Sequence, residues 1–250
     1  MRQSDLNQIS DADAADSRWH WLYKLGGAGA LLTVGLIPIQ IIVYIAWPPP
    51  GFQPTSNTVI GYFTLLHNHK LLGLIDLDLL LIVDQVLAIP IALALYLILR
   101  RASESFMLLA TTLSMVAITT YLASNTNFSM LSLSGQYGAG PTDAERSLLV
   151  AAGVAMMAIY TGTAFRVSYI LGSIAMIIVA AVMLRSNIFS RFIAWVGILA
   201  SVIGLGLYVP KIGLYLAFLS VPFIAVWDVL IARRLFQLGH GKPNGAAHWE

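Results

Sequence analysis

Three aspartates lie within an otherwise apolar run, residues 71–99, in the first half of the chain. They are Asp76, Asp78 and Asp84, and Gln85 follows the last of them. A charged side chain at membrane depth costs at least about 2.5–3.5 kcal/mol on insertion scales, so it usually marks an ion or substrate path or a buried ion pair. These residues therefore predict a polar site for an ion or a small solute.

Distance along a helix sorts these acids by depth. Counting back from Arg100, Asp84 lies about 24 Å away and Asp76 about 36 Å away, at 1.5 Å per residue. Asp84 is then inside the hydrocarbon, whereas Asp76 and Asp78 are near the outer interface. We interpret the set as the lining of a polar cavity that opens to the outside. The predicted lining residues are Asp76, Asp78, Asp84, Gln85, Arg166, Tyr169 and Asn125.

Other interpretations of the same residues remain open. Asp84 and Arg166 are equally compatible with a buried ion pair that fixes helix packing, and Asp76 and Asp78 with solvated positions among the lipid headgroups. If one helix runs unbroken through Lys70, Asp78 shares a face with His67 and Gln85.

Another aspartate and two histidines are further candidate site residues. Asp228 lies five residues before Arg233, about 7.5 Å along a helix, within reach of cytoplasmic arginines. His67 and His69 could bind zinc together with Asp76 or Asp78, but a tetrahedral site needs a further ligand from another helix. Histidines exposed to water at the interface are the commoner case, and no other cofactor is indicated.

The composition defines the class of protein. Of 250 residues, 58% are hydrophobic and 10% are charged, whereas soluble domains are about 25% charged. This balance predicts an all-α helical bundle that crosses a membrane several times, and it excludes a nucleic-acid-binding module. The chain has no cysteine, which excludes disulfides, thiolate metal sites and cysteine nucleophiles.

Six runs are long enough to cross a bilayer, which takes about 20 apolar residues. The predicted spans are residues 25–47, 71–99, 106–124, 164–184, 192–209 and 212–231. Residues 58–70 and 143–162 are predicted to form helices at the outer face. Residues 147–160 could instead form a seventh span, but that would move every later basic turn to the outside.

Basic residues give the orientation. With the N-terminus inside, ten of the fourteen Lys and Arg residues fall on the cytoplasmic side and four outside, as the positive-inside rule requires. We therefore predict a bacterial inner-membrane protein with both termini in the cytoplasm. Residues 1–24 form a polar segment, residues 25–235 one transmembrane domain and residues 236–250 a cytoplasmic tail.

The second half of the chain carries recognisable sequence motifs. Residues 127–131 read Asn-Phe-Ser-Met-Leu, residues 162–173 read Gly-Thr-Ala-Phe-Arg-Val-Ser-Tyr-Ile-Leu-Gly-Ser, and residues 231–239 read Ile-Ala-Arg-Arg-Leu-Phe-Gln-Leu-Gly. Over residues 125–239 the chain resembles a family of bacterial inner-membrane proteins known as a domain of unknown function. The resemblance implies a helical membrane domain of six or seven spans and assigns no catalytic residue.

Three functions fit these observations. The favoured one is binding or transport of a small molecule through the polar cavity, with protonation of Asp84 or Asp228 as the coupling step. The alternatives are a membrane-embedded enzyme acting on lipid or isoprenoid substrates, with His67 and His69 as candidates, and a non-catalytic accessory subunit. The lipid bilayer is the expected partner, and a homodimer is an arrangement that six spans often need for transport.

Overall fold

A computed structural model describes residues 17–139, 142–209 and 211–240. Within these ranges the protein is all-α, with ten α-helices, two short 3-10 turns and no strand. The 3-10 turns are Ser17–Trp19 and Gly206–Tyr208. The helices are α1 His20–Ala46, α2 Ser56–Asn68, α3 Lys70–Asp76, α4 Leu79–Leu99, α5 Glu104–Ser124, α6 Asn127–Ala139, α7 Asp143–Tyr160, α8 Thr163–Arg185, α9 Arg191–Leu205 and α10 Gly213–Gly239.

Six stretches of the described residues are long and apolar enough to cross a membrane, as the sequence predicts. They are His20–Ala46, Leu79–Leu99, Glu104–Ala139, Asp143–Arg185, Arg191–Tyr208 and Tyr215–Gly239. Large apolar side chains are exposed along them, including Ile45 and Tyr215, each at 75%. A surface of this kind is stable against lipid, so the chain is a multi-pass membrane protein.

The second span differs from its prediction. The sequence predicts one helix over residues 71–99, but the chain leaves the helix at Leu77 and resumes it at Leu79. A second interruption lies at His69, between α2 and α3. The expectation that Asp78 shares a helix face with His67 and Gln85 is therefore wrong.

The described residues divide into two compact units. The first comprises the described parts of Met1–Gly35, Val86–Ile118 and Tyr169–Glu250. Its buried core includes Tyr23, Ile98 and Met183. At one turn of this unit the guanidinium Nε of Arg234 donates to the carbonyl of Ile188 at 2.8 Å. In a unit surrounded by lipid, the van der Waals packing of such a core holds the helices together.

The second unit comprises Leu36–Gln85 and Thr119–Ser168. Helices α2, α3, α6 and α7 pack on one another in it. Fully buried Tyr62, Phe63, Leu66 and Met157 lie in its core. The predicted boundaries at residues 24 and 235 stay a prediction. Residues 1–16 of the predicted polar segment and residues 241–250 of the predicted tail lie outside the described ranges.

Candidate functional site

The candidate site is built around the interruption between α3 and α4, in the second unit. Asp78 has φ +66°, a left-handed conformation that Asp adopts more readily than most non-glycine residues. Its backbone N–H donates to the carbonyl of Ile75 at 2.9 Å, and its carbonyl accepts from the N–H of Ile82 at 3.0 Å. Asp78 therefore ends one helical path and begins the next.

Two side-chain amides bind the backbone on either side of this interruption. Nε2 of Gln40 donates to the carbonyl of Ile75 at 3.1 Å. Nδ2 of Asn125 donates to the carbonyl of Leu77, also at 3.1 Å. Carbonyls released from a helix need such partners when they are buried, so α1 and the end of α5 hold the interruption in place.

The carboxylate of Asp78 accepts hydrogen bonds from three tyrosines, Tyr44, Tyr121 and Tyr160, which we call the tyrosine triad. The hydroxyl of Tyr44 donates to Oδ1 at 3.0 Å. The hydroxyls of Tyr121, at 3.2 Å, and Tyr160 both donate to Oδ2. The ring of Phe165 packs against those of Tyr121 and Tyr160, with centroids 6.2 and 6.3 Å apart. Hydrogen bonding and ring packing together position the hydroxyls of Tyr121 and Tyr160, and a hydrogen bond positions that of Tyr44.

Burial and hydrogen bonding act in opposite directions on Asp78. Its side chain is 6% exposed, and burial raises the pKa of the carboxyl, because the charged form loses its hydration. The hydrogen bonds from the tyrosine triad lower the pKa, although the net direction is upward. The hydrogen bonds of the triad thus replace part of the hydration free energy that the carboxylate loses on burial.

Asp76 lies two residues away in a different environment. Its side chain is 0% exposed, and neither carboxylate oxygen has a hydrogen-bond partner among the described residues. Burial, followed by the charge of Asp78, raises the pKa of Asp76 to about 7. At neutral pH this carboxyl is therefore close to the midpoint of its titration.

Two further side chains belong with Asp76. The hydroxyl of Tyr62 and Oε1 of Gln40 are buried and, within the described ranges, have no hydrogen-bond partner. The pKa of Tyr62 is raised by three effects. The largest is burial, the second is the charge of Asp76 and the third is the charge of Asp78. We call Asp76, Tyr62 and Gln40 the Asp76 cluster.

The structure brings together part of the predicted cavity. Asp76, Asp78 and Asn125 meet at the interruption, as described above. Asp84 and Gln85 are half-buried on α4 and Arg166 is exposed on α8. These three are not among the described partners of the two central aspartates.

The remaining predicted residues lie elsewhere. Tyr169 and Asp228 belong to the first unit, where Asp228 is 5% exposed. His67 and His69 are exposed. In the portion of the chain that the structure describes, no three His, Asp or Glu side chains are grouped so that they could hold a metal ion.

The sequence alone did not identify Gln40 or the four tyrosines of the site. Tyr62 in particular is fully buried. The available signal was that several membrane helices each carry a tyrosine toward the end at which Asp76 and Asp78 lie. That signal is weak, because tyrosines are frequent at membrane interfaces for other reasons.

Comparison with known proteins gives a family and no function. A family model described as "Domain of unknown function (DUF4386)" matches residues 61–238, well over half of the chain. It confirms the resemblance noted for residues 125–239 and extends it upstream to include Asp76 and Asp78. Neither the curated proteins nor the solved structures contain a match.

Proposed function

The chain belongs to the DUF4386 family of unknown function, and on that premise we propose that it binds and transports a small polar solute, coupled to a proton on Asp76. The observation that carries the proposal is the Asp76 carboxylate, which is 0% exposed and has no hydrogen-bond partner among the described residues. A buried carboxylate is stable only when it is protonated or paired with a cation. Asp76 therefore suits reversible proton binding better than a structural role.

The contrast between the two aspartates supports this assignment. The tyrosine triad donates three hydrogen bonds to Asp78, whereas Asp76 receives none from the described residues. Paired acids whose environments separate their pKa values commonly divide their roles, one fixed and one titrating. Asp76 takes the titrating role, in place of the Asp84 and Asp228 that the sequence predicts.

The interrupted helix is the second supporting feature. Many transporters bind substrate and coupling ion where a membrane helix is discontinuous, because released carbonyls and helix ends supply polar groups there. Here the interruption at Leu77 and Asp78 lies at the edge of the span Leu79–Leu99, so both aspartates are located where that span begins. The orientation we propose, with both termini in the cytoplasm of a bacterial cell, rests on the unequal distribution of Lys and Arg.

Reconstitution tests the proposal. The purified protein would be placed in liposomes that contain the pH dye pyranine, and amines, amino acids, sugars and organic acids would be added one class at a time. We expect at least one class to cause more proton movement with the wild type than in protein-free liposomes, and none to do so with Asp76→Asn. The matched control is Asp143→Asn, an exposed acid in the first turn of α7. Unchanged proton movement in Asp76→Asn, or no movement for any class with the wild type, would contradict the proposal.

A further inference from the structure

We propose that the Asp76 cluster is a binding site for a single dehydrated monovalent cation, with Na⁺ as its ligand. The inference rests on the proposed function and adds a second ion, which would exchange with the coupling proton at Asp76. It concerns four oxygen atoms: Oδ1 and Oδ2 of Asp76, the hydroxyl of Tyr62 and Oε1 of Gln40. None of the four has a hydrogen-bond partner among the described residues.

Burial makes these oxygens unusual. Asp76 and Tyr62 are each 0% exposed, and Gln40 is 7% exposed. Buried polar atoms in folded proteins are almost always hydrogen-bonded, so an atom that lacks a partner points to an ion, a water or a ligand. Four such atoms lie on three side chains of one unit. One ligand bound by all of them explains this better than four unrelated unsatisfied polar atoms.

Contacts place the three side chains around the end of α3. The amide of Gln40 is held against the backbone immediately before Asp76, because its Nε2 donates to the carbonyl of Ile75. That bond uses the donor side of the amide and leaves Oε1 as an acceptor. Tyr62 belongs to the same buried cluster as Leu77, the residue that follows Asp76, so this side chain packs beside the end of α3.

The donor set selects the kind of ion. All four atoms are oxygens, which bind hard cations, whereas transition metals favour imidazole and thiolate. The cluster contains a single carboxylate, and the neighbouring Asp78 is already occupied by three hydroxyl donors. Only the carboxylate of Asp76 is then available to an ion, and Ca²⁺ sites recruit more oxygen ligands, often from several carboxylates, so the cluster favours a monovalent ion.

Direct binding measurements test the inference without any solute. Radioactive ²²Na⁺ would be bound to the purified protein in detergent by scintillation proximity, with choline chloride as the ionic-strength control and unlabelled Li⁺, K⁺ and Ca²⁺ as competitors. We expect saturable binding to the wild type. Asp76→Asn should abolish binding, and Tyr62→Phe should weaken it at least tenfold.

Matched variants separate the site from general effects on folding. Tyr137→Phe makes the same change on α6, where the ring packs against Phe63 at 5.3 Å outside the cluster, and it should bind as the wild type does. Tyr62→Phe keeps the core ring, so it remains informative even if Asp76→Asn fails to fold. No binding above the choline background, binding unchanged by Tyr62→Phe, or stronger competition by Ca²⁺ than by unlabelled Na⁺ would overturn the inference.

The outcome also separates this inference from the proposed function. If the wild type binds no Na⁺ but solute-driven proton movement depends on Asp76, the inference fails and the proposed function stands. If Na⁺ binds in a Tyr62-dependent way but no solute moves protons, the site stands and transport fails.

Discussion

At the scale of single residues, Asp76 and Asp78 show how strongly local contacts decide the behaviour of identical side chains. Both are buried, yet only Asp78 has hydroxyl donors on its carboxylate. The sequence predicts that both acids matter, because carboxylates are rare in apolar runs. Their different roles depend on Tyr44, Tyr121 and Tyr160, which lie far away in the chain and become neighbours only through the tertiary fold.

Loss of an acceptor oxygen at Asp78 should destabilise the protein. Asn also tolerates the left-handed backbone at this position, so Asp78→Asn adds no backbone strain. Nδ2 of Asn cannot accept a hydrogen bond, so at least one hydroxyl of the tyrosine triad loses its acceptor. A buried donor without a partner costs about 1–3 kcal/mol, and we expect the free energy of unfolding to fall by that amount. Unfolding in mixed SDS micelles measures this change. An equal loss in Asp143→Asn would show that the tyrosine triad contributes nothing specific.

The stability of the protein should depend on pH through Asp76. Its pKa rises from 3.8 in the unfolded chain to about 7 in the fold, so the folded state binds the proton more tightly. The contribution of Asp76 is then complete below about pH 4, is lost as the pH rises to about 7, and is constant above that. Melting temperatures of the wild type and Asp76→Asn from pH 4 to 8 measure this. Parallel profiles would contradict the shifted pKa.

At the scale of helices, the positions of the spans could be predicted and the interruptions could not. The six spans could be predicted from hydropathy, because a helix that crosses a bilayer must be apolar and about 20 residues long. The breaks at His69 and Leu77–Asp78 contain neither a proline nor a glycine pair, which are common sequence signals of a helix interruption. At the second break, Gln40 and Asn125, which are distant in the sequence, donate to the carbonyls of Ile75 and Leu77, and no local sequence pattern indicates these contacts.

Alanine substitution at two glycines should change the stability of the protein in opposite directions, because only one of them lies where α7 packs closely on α2. A Cβ on Gly153 would contact Val59 and lie 3.1 Å from Cζ of Phe63, whereas a Cβ on Gly135 would have no neighbour within 4 Å. Gly153→Ala should therefore destabilise the protein by about 1–3 kcal/mol through overpacking. Gly135→Ala should stabilise α6 by about 0.5–1 kcal/mol. Unfolding free energies of the two variants test this, and the same sign for both would contradict the packing.

At the scale of the whole molecule, the described residues form two units whose cores are separate clusters of apolar side chains. The class of protein follows from composition alone, since a chain with 10% charged residues cannot cover itself with a polar surface. The division into units could not be predicted, because each unit combines segments from distant parts of the sequence. Only contacts between helices define such a division.

The proposed orientation can be tested by chemical labelling. The chain contains no cysteine, so single cysteines can be introduced without any background. Gln53→Cys and Ala102→Cys both lie in exposed loops, before α2 and before α5. In intact cells a membrane-impermeant maleimide should label the cysteine at residue 53 and leave that at residue 102 unlabelled until the cells are lysed. The reverse pattern would place both termini outside.

The interruption at Asp78 also constrains the order in which the protein matures. A ribosome delivers residues 75–78 to the membrane well before Tyr121, Asn125 and Tyr160 have been synthesised, and of the side chains that later hold the interruption only Gln40 and Tyr44 already exist. Until the nascent chain has grown past α7, the Asp78 carboxyl must therefore remain hydrated or keep its proton. Completion of this buried polar centre is thus a late step of biogenesis, which follows insertion of the surrounding helices.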